Sequence, residues 1–313
     1  MRSPLDWWSF DRSLRRRRVV FVVIGDLAVG MGHVFRSLQL AHELLGHETL
    51  FVVPRGHSLA VDQIRHHRYP VVRQGEEDLA ATVLALDPDL VVNDVLQTNG
   101  EYVERLKEDG RKVVNFEDEG DGALHADLVI NAIFDKSDVG PNVLCGPTYF
   151  CIRDEFVGAC PCPWSEGVRE VLVTFGGTDE KNVTQRVAGL VLPLLAERGI
   201  RVSIVTGPGY LHLDELRRAI GNYDRDQVEL ANGTRRISEY MARADLGFSS
   251  AGRTVFELAM MRVPSFILAA NLREESHTFA SEENGMIYLG RQDRTSDEEI
   301  VGALMRLLED RAL

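Results

Sequence analysis

The sequence predicts an α/β protein of two Rossmann-like domains, each a parallel sheet with helices on both faces. Three observations carry that prediction. Short, continuous apolar runs alternate with helical stretches from Val19 onward; the alternation breaks once, around a proline-rich segment, and then restarts; and a glycine loop follows the first strand of each half. A chain of 313 residues suits two domains of about 150 residues each.

In the first half, Val19 to Ile24, Thr49 to Val53, Leu90 to Asn93, Lys112 to Phe116 and Asp127 to Asn131 read as buried strands, and His33 to Leu45 and Glu101 to Glu108 as the clearest helices. The rhythm stops between Arg153 and Gly167. The stretch Cys160-Pro161-Cys162-Pro163 suits neither a helix nor a central strand, so the domains are expected at 19–158 and 168–313. In the second half, strands are expected at Val171 to Phe175, Val202 to Val205, Val228 to Leu230, Leu246 to Phe248 and Ser265 to Leu268. Helices are expected at Asn182 to Glu197, Ile237 to Arg243, Val255 to Met261 and Asp297 to Glu309. Residues 1–18, with Trp7, Trp8 and the run Arg15 to Arg18, read as an arm outside the core that packs on the surface or on a second copy of the chain; the short apolar segment after it lacks the cleavage site of a signal peptide.

A net charge of -13 argues against general binding to nucleic acid, and no apolar run approaches the roughly 18 residues of a membrane span. The cysteines Cys145, Cys151, Cys160 and Cys162 have no zinc-site spacing, and reduced thiols in a cytoplasmic protein are the expectation.

Chemistry is expected where strands end in glycine or polar turns, because open α/β sheets bind ligands beyond the carboxyl ends of their strands. Gly30-Met31-Gly32-His33-Val34-Phe35-Arg36 breaks from the first strand into a helix. Gly30 and Gly32 let backbone come close to an anion, and the first-turn N–H groups carry partial positive charge. The same geometry disfavours an imidazolium, which suits His33 to accepting a proton. Asp26, Asp94 and Asp118 are candidates for orienting His33 or a sugar hydroxyl. Glu117-Asp118-Glu119-Gly120-Asp121 offers four carboxylates for a metal or a sugar, or is a solvated turn. Gly176, Gly177 and Thr178 suit a diphosphate, with Thr178 or Asn182 as a helix cap the alternative. Ser250-Ala251-Gly252-Arg253-Thr254 then leads to Glu257, a carboxylate suited to vicinal ribose hydroxyls or, alternatively, to an i,i+4 pair with Arg253.

In order and spacing these stretches, with Ala126 to Asn131 and Gly146-Pro147-Thr148-Tyr149-Phe150-Cys151-Ile152-Arg153-Asp154-Glu155-Phe156, resemble the nucleotide-sugar hydrolases of the pseudaminic-acid pathway and their spore-coat polysaccharide relatives. More distantly they are similar to the N-acetylglucosaminyltransferase that makes lipid II. The resemblance implies a GT-B fold with the domains facing a cleft. It implies a UDP-sugar substrate, no metal or other cofactor, and water displacing UDP from the anomeric carbon with His33 essential. It carries ribose binding to Glu257, phosphate binding to Gly176, Gly177 and Thr178, and sugar contacts to Arg36, Glu117 and Asn271. Departures fall on the sugar side: Ile24-Gly25-Asp26 lacks the expected arginine, Asp94-Val95-Leu96 replaces Asp-His-Tyr, and Asn271-Leu272-Arg273 replaces an Asn-Gln pair. The alternatives are a glycosyltransferase moving the sugar to an acceptor, and a non-catalytic nucleotide-sugar binding protein.

Overall fold

The computed structural model describes residues 16–26, 29–133, 140–161, 163 and 167–309. These fall into two compact units: residues up to Ala132 with 140–145, and Ile133 with the residues from 146 onward.

The first unit runs β1 (Arg18–Val23), α1 (Gly32–Glu43), β2 (Glu48–Val53), α2 (Ser58–His66), β3 (Val71–Arg73), α3 (Leu79–Leu84), β4 (Leu90–Asp94), α4 (Gly100–Lys107), β5 (Lys112–Phe116), β6 (Leu128–Asn131) and β7 (Val143–Cys145). Its strands are parallel, in the order β3-β2-β1-β4-β5-β6-β7. Helices start where the sequence supplies caps: Asp78 accepts from the Ala81 amide at 2.8 Å ahead of α3, and Asn99 from the Tyr102 amide at 2.8 Å ahead of α4. Phe21 and Phe51, partners in register on β1 and β2, stack at 5.2 Å in the core.

The second unit runs β8 (Glu170–Thr174), α5 (Val183–Ala196), β9 (Arg201–Thr206), α6 (Leu213–Ile220), β10 (Val228–Asn232), α7 (Ile237–Met241), β11 (Leu246–Ser249), α8 (Thr254–Met260), β12 (Ser265–Ala269), α9 (Leu272–Glu275), β13 (Met286–Arg291) and α10 (Asp297–Glu309). The parallel order is β10-β9-β8-β11-β12-β13. β8 and β12 are buried along their whole length, as strands covered on both faces must be. α5 lays Val183, Val187, Val191 and Leu195 against the sheet, a stripe at i,i+4 spacing. Each such buried side chain contributes roughly 1.5–3 kcal/mol, so a charge at Val187 would undo the docking of this helix.

The two parallel sheets match the expected fold class. The division between the units, however, comes before the proline-rich stretch. Residues 146–157, expected in the first domain, belong to the second unit because their apolar side chains are in its core: Phe156 is fully buried there, and Phe150 stacks on Phe256 at 4.1 Å. Of the expected arm, residues 1–15 lie outside the described residues. Arg18 already opens β1, and its guanidinium donates to the Leu86 carbonyl at 2.8 Å. Cys145, Cys151 and Cys160 are free thiols; Cys162 lies outside the described residues. Among the described residues, no helix is long and apolar enough to cross a membrane.

Candidate functional site

In the first sheet the chain winds outward from β1 through β2 to β3 on one side and from β4 to β7 on the other. The carboxyl ends of β1 and β4 therefore flank the topological switch point, where doubly wound sheets take their ligands. Register pairs Val23 with Asp94 at that edge. From β1 the chain passes Gly25, where a Cβ would lie 2.7 Å from Val34 Cγ2, and Gly30, at φ +78°, before entering α1. Both glycines are required by geometry. No side chain caps α1, and its first turn holds no acidic residue, so its leading amides keep their partial positive charge.

His33, in that first turn, is buried, and its Nδ1 lies 2.6 Å from Asp94 Oδ1. A carboxylate at this distance fixes the tautomer: Nδ1–H donates to Asp94 and Nε2 carries the lone pair. Nε2 has no hydrogen-bond partner among the described residues and is not among the side-chain nitrogens sealed from solvent. One helical turn on, Arg36 donates from Nε to Asp94 Oδ2 at 2.7 Å and from Nη2 to Asp94 Oδ1 at 2.5 Å, while Ser37 Oγ donates to Oδ2 at 3.3 Å. Arg36 Nη1 meets Glu117 Oε1, and its guanidinium lies 5.1 Å from the centre of the Phe116 ring. Burial by itself raises the Asp94 carboxyl, but Arg36 and then His33 outweigh it and hold the group well below the usual carboxylate range. Arg36 is pushed up, burial being overcome by Asp94 and Glu117. Arg36 thus bridges two buried carboxylates, Asp94 and Glu117. A proton arriving at Nε2 gives an imidazolium paired with Asp94.

Of the three aspartates expected near His33, Asp94 is the one on its ring. Asp118 accepts from the Thr98 amide at 2.9 Å, Thr98 Oγ1 at 2.5 Å, Asn115 Nδ2 at 2.6 Å and the Gly120 amide at 2.9 Å. It pins the acidic turn to the segment after β4, where a Cβ on Gly120 would lie 2.0 Å from the Thr98 carbonyl oxygen. Asp26 accepts from the Val29 amide at 2.9 Å and pairs with His57 at 2.7 Å, a histidine to which the sequence reading gave no role. Arg36 and Glu117, expected on a sugar, face each other inside the cluster. Glu117 adopts φ +49°, unusual for a side chain of its size and typical of positions held by their surroundings.

In the second sheet the switch point lies between β8 and β11, and both expected nucleotide loops leave from it. Gly176, at φ +83°, turns the chain into Gly177 and Thr178. Asp179 then accepts from the Val183 amide at 2.9 Å and the Thr184 amide at 2.8 Å, so it caps α5 in place of Thr178 or Asn182. Burial raises the Asp179 carboxyl, and the Thr184 hydroxyl and the two amides only partly offset this.

Beyond β11, Ser250 and Ala251 are buried and Gly252, Arg253 and Thr254 partly so. Arg253 donates to the Cys151 carbonyl at 3.1 Å and lies 4.4 Å from the centre of the Phe150 ring. Glu257 accepts from Arg153 at both oxygens, 2.7 Å from Nε and 2.8 Å from Nη2, in place of an i,i+4 pair with Arg253. Glu274 accepts from the Ala270 amide at 2.8 Å, and also from the Ala251 amide and the Ser250 hydroxyl. Burial raises its carboxyl too. Asn271 is exposed and caps α9, accepting from the Glu274 amide at 3.1 Å.

Residues 171–308 match the glycosyltransferase family 28 C-terminal domain. The chain is glycosyltransferase-like. It is similar to the MurG of Acinetobacter baumannii in structure, with a TM-score of 0.67 at 14% identity, covering 95% of this chain and 92% of that one; at this identity the likeness is one of fold, and the fold is GT-B. An uncharacterized protein of Methanocaldococcus jannaschii is 26% identical over 274 residues, 81% of this chain and 56% of the relative. A UDP-N-acetylglucosamine–N-acetylmuramyl-(pentapeptide) pyrophosphoryl-undecaprenol N-acetylglucosamine transferase of Sulfurovum sp. is 24% identical over 148 residues, 46% of this chain and 43% of the relative. The chain thus spans about half the length of the curated relatives it matches. These matches favour the transferase alternative at least as well as the hydrolase expectation.

Proposed function

We propose that this glycosyltransferase-like chain acts on a nucleotide-sugar, with UDP as the nucleotide, and transfers the sugar from the diphosphate to an acceptor hydroxyl. The observation that carries this reading is the His33–Asp94 pair at the switch point of the first sheet, with Nε2 open and Nδ1 fixed. His33 Nε2 takes the hydroxyl proton as the acceptor oxygen bonds to the anomeric carbon and the carbon–oxygen bond to the diphosphate breaks. The ring becomes an imidazolium beside Asp94, which stays ionised because Arg36 holds it so. Arg36 and Glu117 position this pair rather than bind sugar. In the second unit, Glu257 accepts from the ribose hydroxyls. The backbone about Gly176, Gly177 and Thr178, and from Ser250 to Thr254, receives the diphosphate, whose leaving charge such donors stabilise. Asn271 lies on the sugar side.

Water in place of the acceptor is the second reading, favoured by the likeness of Gly30 to Arg36 to the hydrolases. Release of nucleotide from a panel of UDP- and CMP-sugars, with and without sugar acceptors, separates the two. Transfer requires release to depend on an acceptor, and hydrolysis requires release without one. In either case His33→Ala abolishes turnover and leaves nucleotide binding intact. Equal turnover by His33→Ala would remove the histidine from the chemistry, and a wild type that binds nucleotide yet turns nothing over would leave a binding protein.

A further inference from the structure

The loop after β9, residues 207–212, holds two glycines and a buried tyrosine that the proposed reaction leaves without a task. It packs against the turn that leaves β8. A Cβ on Gly207 would lie 2.2 Å from the Gly177 carbonyl oxygen and 2.3 Å from the Gly177 Cα, so only glycine fits between the two backbones. The Gly209 amide donates to that same carbonyl at 3.1 Å. Further along, the Tyr210 hydroxyl donates to Asn182 Oδ1, and Asn182, at φ +55°, is the residue from which α5 starts. The loop is itself tied to the end of β10: Asn232 Nδ2 donates to the Gly207 carbonyl at 2.9 Å and to Thr206 Oγ1 at 3.0 Å. The turn 176–182 is therefore gripped near both its ends by the loop of the neighbouring strand.

The grip at Gly177 has a direction. A trans peptide unit is planar, with its C=O and N–H on opposite sides. The Gly177 carbonyl faces the Gly209 amide, so the Thr178 N–H, the other half of the same peptide unit, faces away from residues 207–209. That N–H has no hydrogen-bond partner among the described residues, and Thr178 is partly exposed. We propose that Gly207 and Gly209 are positioning residues: they fix this peptide plane with the Thr178 N–H presented to a phosphate oxygen of the nucleotide. The reversed plane would turn the carbonyl oxygen toward the phosphate, replacing a donor by a repelling acceptor, and the contact with Gly207 and the bond from Gly209 oppose that reversal. The inference rests on the reading of Gly176 to Thr178 as a phosphate turn. It gives the loop after β9 a share in phosphate affinity through a backbone it braces.

The test is calorimetric binding of UDP, and of uridine, which lacks the phosphates, to wild type, Gly207→Ala and Asn232→Ala. Wild type binds UDP about tenfold tighter than uridine or more. Gly207→Ala drives a methyl group into the Gly177 carbonyl and displaces the peptide. Its UDP affinity falls about tenfold or more, the loss of one hydrogen bond to a charged group, while its uridine affinity stays within about threefold of wild type. Asn232→Ala releases the Gly207 carbonyl without adding a clash, and lowers UDP affinity by about threefold or more with uridine binding unchanged. A folded Gly207→Ala with wild-type UDP affinity overturns the proposal. So does an equal loss for both ligands, which a merely structural role would produce. Should that variant fail to fold, Asn232→Ala decides on the same two criteria. A wild type that binds uridine and UDP equally refutes the phosphate-turn reading, and one that binds neither refutes the nucleotide reading; both are seen in wild type alone, before any variant is compared.

Discussion

Replacing Asp94 by asparagine changes one atom of the histidine cluster and tests the argument for it. Asp94 is fully buried and accepts from His33 Nδ1, from Arg36 Nε and Nη2, and from Ser37 Oγ. Asparagine offers one acceptor oxygen. If its NH2 takes the Oδ1 position it faces His33 and Arg36 Nη2; if it takes the Oδ2 position it faces Arg36 Nε. Either way a donor meets a donor, and in the first case the ring must carry its proton on Nε2 and ceases to be a base. Removing one partner of a buried ion pair costs about 3–5 kcal/mol, and Glu117, still at Arg36, keeps this at the lower end. A loss of about 3 kcal/mol lowers the melting temperature by roughly 6–12 °C. The kinetic loss is separate: kcat falls by about 10²–10⁴, the range for a general base in the wrong tautomer. KM moves by less than about threefold, because a side chain sealed inside the unit touches no substrate. Steady-state kinetics on whichever nucleotide-sugar wild type turns over, with circular dichroism at the assay temperature, separates the two effects. A folded Asp94→Asn whose kcat stays within about tenfold of wild type would refute the reasoning.

Two further outcomes distinguish structural carboxylates from those in the chemistry. Asp118→Ala strands the Thr98 and Gly120 amides and the Asn115 side chain; it should cost about 3 kcal/mol in thermal unfolding and leave the kcat of the folded enzyme within about threefold. A kcat lost as completely as in His33→Ala would move Asp118 into the reaction. Glu274, raised by burial, contributes stability that is present below its unfolded value and lost as pH rises through the folded one. Glu274→Gln, which cannot ionise, should therefore melt higher than wild type at about pH 7.5 and no higher at about pH 4. Equal differences at both pH values would contradict that sign.

Much of the fold is legible because parallel strands buried on both faces leave continuous apolar runs; Val-Val-Phe-Val-Val of β1 and Val-Leu-Val of β8 need no context. β3 and β7, three residues each, are too short to carry a period, and β13 is interrupted by a register shift near Gly290, at φ +115°. The histidine loop is likewise legible, since glycines in a strand-to-helix turn are a local signal. Its partner is not. Asp94 stands 61 positions from His33 and reaches it because β4 lies beside β1, a consequence of strand order that no local spacing encodes. Arg153 and Glu257, 104 positions apart, are harder still. Proline-rich composition marked where regular structure stops, whereas the division between the units follows which core Phe150 and Phe156 fill.

The three carboxylates that sit on or near exposed-amide loops divide by the kind of partner each has. Asp94 faces a guanidinium and a histidine, and these charges overcome burial and drive its carboxyl down. Asp179 and Glu274 are held by hydroxyls and backbone amides, with fractional charges, and burial wins and drives both up. An ionised group kept below its ordinary range resists protonation and rotation alike, as a residue that fixes a tautomer must. A carboxylate kept above that range by burial is the more weakly held, and it occupies the Val183, Thr184 and Ala251 amides, the same kind of donor that an incoming phosphate seeks. α1 has no such occupant among the described residues: no side chain caps it, and its first turn holds no acidic residue. The fixed geometry at His33 therefore comes from ion pairing through one buried arginine, Arg36, whereas Asp179 and Glu274 rest on amides and hydroxyls.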